Sequence, residues 1–391
     1  MFFSNRSVYL ITEYVKRYIS KKDDDMSAPI IAKNLKRFRR DKGMTQAELS
    51  RQSGISIPCI KKIEGGRSNP EVRTLMALGK ALGRKSGDFF QQPLTLKAVR
   101  FRSQKKLRLR DTMIDDITRW LLNYHFIEEQ TNQKSRLLLR KPNKAISKEI
   151  RTLAEYLRKE IGVDEASPII DPCLLLERIG IKVLFYDTMA DFFGLSINDK
   201  TCGQAIVINS NDRISVERKI FTAFHELGHL ILHLPSFHLN EERENGNEEM
   251  EADEFAGYFL MPKTAFRNEW NDLKGIHFVD RVLKVKRYFG VSYKTVLKRL
   301  IDEKVADDKI WRKFNSEFNQ RYHENLKNHR EPQGMEPKRL TPFDFLENRF
   351  SRLTLLAVQN EKISISRGAE ILGISVTEFY DLLQNTYEVG V

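Results

Sequence analysis

Two histidines four residues apart, with a glutamate directly after the first, place the tightest constraint on this chain: Phe224-His225-Glu226-Leu227-Gly228-His229-Leu230. An α-helix turns about 100° per residue, so positions i and i+4 lie one above the other on a single face. Two imidazoles held there can share one tetrahedral Zn²⁺ at about 2.0–2.1 Å each. Glu226 is not a ligand in this arrangement. Beside the metal, its carboxylate can act as a general base toward an activated water. Phe221, Ala223, Phe224, Leu227, Leu230, Ile231, Leu232 and Leu234 make the segment apolar nearly all round, which predicts a buried helix. Imidazole and carboxylate in such a helix need partners or a metal.

A hydrolytic zinc site takes three protein ligands and leaves one position open. The third is expected from a second helix, Glu248-Glu249-Met250-Glu251-Ala252-Asp253-Glu254-Phe255-Ala256, whose Ala252, Phe255, Ala256, Phe259 and Leu260 recur at helical spacing. Glu249 and Asp253 stand i and i+4, so one can bind metal while the other orients a ligating histidine from behind. His233 continues the histidine column but sits about 12 Å along the axis from His225, too far to share the ion. His238, beyond Pro235, is an alternative third ligand if the chain folds back. Glu248 and Glu251 face elsewhere and read as solvated or capping residues.

These paired motifs, RKIFTAFHELGHLILH at 218–233 and EMEADEFAGYFLMP at 249–262, resemble the ImmA/IrrE family of zinc metallopeptidases over roughly residues 145–300. The resemblance implies that His225, His229 and Glu249 bind zinc, with Glu226 as general base and Asp253 behind a ligand. Arg218 matches an arginine common seven residues before the first ligand, placing it near the site or the substrate. Phe224 stands where alanine is usual, and its bulk is expected to narrow the cleft. Members of the family typically cleave a repressor and relieve silencing after stress or DNA damage.

A second pattern precedes this one. Ile31 to Arg40 reads as a helix broken by Gly43; Thr45 caps Gln46–Gln52, with Glu48 completing a capping box. Gly54 makes a turn, Ser56 caps Ile57–Glu64 with Pro58 in its first turn, and Pro70 opens a helix through Leu82. Helix, glycine turn, capped helix is a helix-turn-helix. The stretch MTQAELSRQSGISIPCIKKIEGGRSNP resembles the lambda-repressor-like (XRE) DNA-binding domains over its whole length. Charge favours duplex DNA as the partner: residues 1–110 hold 26 Lys and Arg against 9 Asp and Glu, a balance of +17, while the whole chain is +13. The resemblance puts the second motif helix in the major groove, with Ser56, Ile57, Pro58, Lys61 and Lys62 at base edges or backbone, Gln46 anchoring the preceding helix and Arg67 on a phosphate. Ile57 and Pro58 offer no bidentate readout; a thymine methyl suits Ile57 and a guanine suits lysine.

The remainder reads more coarsely. Lys97–Arg110, seven basic residues in fourteen, is expected on a helix, and Met113–Gln130 as an amphipathic connector. Residues 181–186, 192–197 and 204–208 read as three strands beneath the zinc helix. An edge strand of that sheet can hold an extended peptide by strand addition. Residues 312–338 are polar and read as an exposed linker or solvated helix, and Ile365–Ser375 as a second, truncated helix-turn-helix with a packing or dimerising role. Cys59, Cys173 and Cys202 are scattered, against a disulfide framework or a cysteine zinc site. No apolar run approaches a membrane span, and a cytoplasmic chain is expected.

The expected fold is α+β: an all-α helix-turn-helix domain, then a mainly helical zincin-like domain with a small β-sheet, then a C-terminal helical subdomain. The expected boundaries are 1–25 leader, 26–93 DNA-binding domain, 94–143 basic helical connector, 144–305 metallopeptidase domain, 306–344 polar linker and 345–391 helical subdomain. The expected function is a DNA-binding regulator, with a second copy of itself among its candidate partners, and a zinc-dependent endopeptidase acting on a repressor or on itself. The polar linker and C-terminal helices are expected to gate the cleft. The competing reading is a regulator whose zinc domain senses a ligand or stress without hydrolysis.

Overall fold

The computed structural model describes residues 27–84, 86–90, 99–101, 110–135, 149–189, 192–234, 246–323, 326, 336–337 and 340–387. The expected leader, residues 1–25, and His238 lie outside them. The chain divides into two compact units, residues 1–95 with 108–118 and residues 96–107 with 119–391.

The first unit is built from four helices, α1 (Ser27–Asp41), α2 (Gln46–Ser53), α3 (Ile57–Glu64) and α4 (Val72–Leu82), followed by a 3₁₀ turn at Ser86–Phe90. The punctuation is local. Thr45 and Glu48 form a reciprocal capping box on α2, and Ser56 accepts from Cys59 N to cap α3. Ile31, Leu35, Phe38, Leu49, Ile60, Ile63, Leu75, Leu78, Leu82 and Phe89 close the core. Glu64 joins three helices: it pairs with Arg39 at 2.6 Å and accepts from Gln46 Nε2 at 2.7 Å.

The second unit is α+β, as expected. After β1 (Val99–Phe101) come α5 (Arg110–Gln130), within which the boundary between the units falls, then α6 (Ile150–Glu160) and α7 (Pro172–Arg178). Three strands follow, β2 (Lys182–Tyr186), β3 (Gly194–Asp199) and β4 (Gly203–Asn209), close to those read from their β-branched content. The sheet order is β1-β3-β4-β2, with β2 parallel to β4 and the other pairs antiparallel. Helix α8 (Val216–Leu232) lies against β3 and β4, and α9 (Gly246–Leu260) packs on α8 and α6. The chain continues through α10 (Lys263–Asp272), α11 (Phe278–Phe289), α12 (Tyr293–Asp302) and α13 (Ile310–Tyr322) to α14 (Arg349–Gln359), α15 (Ile365–Leu372) and α16 (Val376–Tyr387).

Two expectations are corrected here. Val99–Phe101, inside the basic stretch expected to be helical, is a strand that pairs Val99 with Ile197, Arg100 with Ser196 and Phe101 with Leu195. The described part of the expected linker, residues 306–344, is not all solvated. Ile310, Phe314 and Phe318 recur along one face of α13 and are buried in the main core with Leu326, and Phe345 follows them in. Glu336 is buried as well: Lys286 reaches it at 3.1 Å and Glu217 at 2.8 Å, and Leu340 N donates to Glu217. Breaking such a buried pair costs about 3–5 kcal/mol, so truncation after Glu303 would dismantle core rather than uncover a cleft.

The C-terminal helices join the unit through another buried ionic group, in which Glu128 of α5 pairs with Lys182 of β2 at 3.0 Å and Arg349 of α14 at 2.8 Å. Nearby, burial and the neighbouring Glu347 push the Glu177 carboxyl up to about 7 from its ordinary 4.5. The folded state therefore holds that proton more tightly than the unfolded chain. The resulting stability is fully present below about pH 4.5 and is lost as pH rises through about 7. Glu177→Gln, which mimics the protonated acid, is expected to be nearly neutral at pH 5. At pH 8 it is expected to stabilise by about 1–3 kcal/mol, read from denaturant melts of the larger unit. Equal effects at the two pH values would contradict this.

Candidate functional site

Helix α8 carries its polar site in an otherwise apolar environment. His225, Glu226 and His229 are 0–1% exposed, on a helix capped by Ser215, which accepts from Arg218 N at 3.3 Å. Gly228 lets α9 come close: a Cβ there would stand 3.1 Å from Phe255 Cδ1 and 3.3 Å from Ala252 Cα. That close crossing brings the first turns of α9 over the histidines.

Three ligand-type atoms converge as a result. His225 Nε2 and His229 Nε2 are 2.9 Å apart, and the two oxygens of Glu249 stand 3.2 Å from one and 3.2 Å from the other. Donors about 2.0–2.1 Å from a tetrahedral ion are about 3.3 Å from one another, so the N–N separation and the shortest N–O separation to each imidazole are near the edges of a metal tetrahedron. Among the described residues, His225, His229 and Glu249 form a group that can hold a metal ion. Burial by itself would raise the Glu249 carboxyl, but hydrogen bonds from His225 and His229 outweigh it and hold the group well below the usual carboxylate range.

The far ring nitrogens are also held. His225 Nδ1 is 2.6 Å from Asp253 Oδ1, which fixes the ring with Nε2 facing the site. His229 Nδ1 is 2.9 Å from His233 Nδ1, and His233 Nε2 is 2.8 Å from Glu251 Oε2. His233 thus lies outside the converged group and contacts His229 from behind. Glu251 is its partner; the side chain is half-exposed, in keeping with the reading as a solvated residue, and the contact with His233 is an addition to it. The column of histidines at i, i+4 and i+8 was the available signal; the Glu251 contact joins residues 18 apart and has no local signature.

Glu226 is 1% exposed, and among the described residues nothing hydrogen-bonds its Oε1. A Cβ built on Gly194, the first residue of β3, would lie 3.4 Å from Glu226 Cγ. The glutamate therefore sits between the ligand helix and the sheet. Arg218 is outside the ligand group; its guanidinium lies 4.5 Å over the Phe193 ring, just before β3. Phe224 does not narrow a cleft: it is fully buried and stacks on Phe259 at 5.2 Å between centroids. The bulk replaces alanine in the core.

In the first unit, Ser56, Ile57, Pro58, Lys61, Lys62 and Arg67 are all exposed, on or flanking α3. Ile57 is 37% exposed despite being apolar. Gln46 opens α2, but its side chain is engaged by Glu64. Among the described residues no helix is long and apolar enough to cross a membrane.

The helical fold of the first unit and the His-His-Glu group of the second define a DNA-binding helix-turn-helix domain joined to a domain of metallopeptidase-like fold. The chain belongs to the HTH-type transcriptional regulators of the XRE kind: the family described as Helix-turn-helix matches residues 35–90, and the IrrE N-terminal-like domain matches residues 176–301. The chain is similar to an uncharacterized HTH-type transcriptional regulator, y4dJ, of Sinorhizobium fredii, with 44% identity over 54 residues that make up 14% of this chain and 70% of the relative.

The partners behind the histidines can be tested with zinc as the probe ion. Asp253→Ala and His233→Ala are each expected to weaken zinc affinity about 10–100-fold in a chelator competition, with helix content unchanged. His229→Ala is expected to abolish stoichiometric binding. Unaltered affinity in both of the first two variants would show that the histidines need no such support.

Proposed function

We propose that this protein is a DNA-binding regulator whose second unit is a zinc-dependent endopeptidase acting on a regulatory protein, a repressor or the chain itself. The observation that carries the reading is the pairing of a converged His225-His229-Glu249 set with Glu226, the next residue after His225, which is buried and whose Oε1 has no hydrogen-bond partner among the described residues. Zinc bound there would polarise the scissile carbonyl and make water more acidic. Glu226 takes the proton from the attacking water and returns it to the leaving amine. Asp253 keeps the His225 ring in the ligating tautomer. Arg218, stacked on Phe193 at the start of β3, is placed to orient substrate rather than metal.

Substrate binds on the sheet side of α8 in this reading, as an extended segment added to β3. Backbone hydrogen bonds supply affinity there, and alternate side chains supply selectivity. Two helix-turn-helix units bind a pseudo-palindromic duplex with half-sites about one helical turn apart, since one α3 reads few base pairs. Ile57, Pro58, Lys61 and Lys62 face the groove, Ser56 starts the helix at the backbone, Gln46 braces the preceding helix, and Arg67 meets a phosphate.

The decisive comparison is wild type against Glu226→Gln, each loaded with zinc and incubated with repressors encoded near it. Glu226→Gln is expected to retain the metal and lose hydrolysis by at least about 100-fold. Equal cleavage by both proteins, or none by either under any effector, would instead support a sensing role for the zinc domain. For the DNA-binding unit, Lys62→Ala is expected to relax sequence preference. Arg67→Ala is expected to weaken binding to all duplexes and lower the salt slope by about 1. Anisotropy titrations with no duplex affinity at low salt would refute the DNA contacts.

A further inference from the structure

The segment Val99–Phe101 pairs with β3, the strand whose first residue approaches Glu226. Gly194 opens β3 so close to α8 that an added Cβ would meet Thr222 Cγ2 at 2.5 Å and Glu226 Cγ at 3.4 Å. One edge of β3 is taken by β4 along its length, from Gly194 opposite Ile208 to Asp199 opposite Gly203. The other edge carries β1. Among the described residues the outer edges of the sheet lie on β1 and β2, and each is separated from β3 by a strand, the first by β1 itself and the second by β4. A peptide adding to the sheet next to Glu226 therefore needs the edge that β1 fills.

We propose that Val99–Phe101 is an autoinhibitory strand, occupying in cis the β3 edge that an extended substrate peptide must use. The inference rests on the peptidase reading above and specifies how its site is regulated. The pairing is antiparallel, and Phe101 stands opposite Leu195, the residue after Gly194. The strand thus ends at the Glu226 end of β3, where a competing peptide would also pass. Among the described residues three pairs hold β1 in place, and a longer strand can displace them. Tethering compensates for that shortness, because a segment of the same chain competes intramolecularly, at an effective concentration rather than a bulk one. The segment falls in the chain between the helix-turn-helix helices and α5. An event at the DNA-binding unit that pulls on this stretch would open the edge.

The test uses the full-length, zinc-loaded protein carrying Glu226→Gln, so that bound peptide is not consumed. The probe is a fluorescent peptide copying residues 97–103. Alternate residues of an antiparallel strand donate N–H to the partner, and proline is tolerated on an edge only where the N–H faces solvent. Of Arg100→Pro and Phe101→Pro, one therefore removes a ladder bond and the other is its control. The ladder-breaking variant is expected to bind the peptide at least about 10-fold more tightly, converting lost cis competition into affinity in trans. It is also expected to speed amide exchange across Leu195–Ile197, with added peptide restoring protection. The control is expected to stay near the parent in both readouts. Parent-like peptide affinity and parent-like exchange in both proline variants would overturn the inference.

Neither readout requires hydrolysis. With Glu226 restored, repressor cleavage at an unchanged rate in the ladder-breaking variant would sink the strand inference and leave the peptidase reading standing. An opened, peptide-binding edge without any cleavage would uphold the strand's covering role and sink the peptidase reading.

Discussion

The second unit depends on how it accommodates two imidazoles and a carboxylate on a helix that is apolar nearly everywhere else. Unpartnered, these groups would carry a desolvation penalty that no amount of surrounding leucine offsets. The crossing of α8 by α9 at Gly228 resolves this. It delivers Glu249 between the two Nε2 atoms and places Asp253 and Glu251 behind the rings, through His233 in the second case. The same close approach stacks Phe224 on Phe259, so site and core share one interface. A change in that crossing would shift ligands and core together.

Buried charge recurs as the means by which distant segments are tied to the site. Lys286 of α11 serves Glu217 in the first turn of α8 and Glu336 more than a hundred residues later in the chain. Glu128, Lys182 and Arg349 join α5, the sheet and the C-terminal helices. Such networks contribute little net stability relative to apolar packing, yet they are costly to leave incomplete, and they specify which segments must meet. The C-terminal helices are therefore bound to the sheet next to β2 by a network with a single satisfied arrangement.

Much of the site was legible because it is local. A helix places residues i and i+4 together whatever surrounds it, so His225 and His229, and equally Glu249 and Asp253, could be paired by spacing. Thr45 with Glu48 and Ser56 with Cys59 N are likewise contacts within one turn. Segments failed where composition masked period. Residues 312–338 average polar, but Phe314 and Phe318 form an i, i+4 aromatic stripe that is buried in the core. In the basic stretch, Val99 and Phe101 alternate with Arg100 and Arg102, a period-two signal hidden by the charge count.

The sequence by itself determined the helix that presents two imidazoles, the carboxylate-bearing helix to meet it, and the capped helix-turn-helix with its exposed lysines. These follow from rotation per residue and from hydrogen bonds closed within a turn. The tertiary structure alone decided which carboxylate faces both Nε2 atoms, that Glu251 supports His233, and that Val99–Phe101 covers β3. Those contacts join residues 18 to about 100 apart in the chain. Their existence depends on interhelical distance and strand register, which no local spacing encodes.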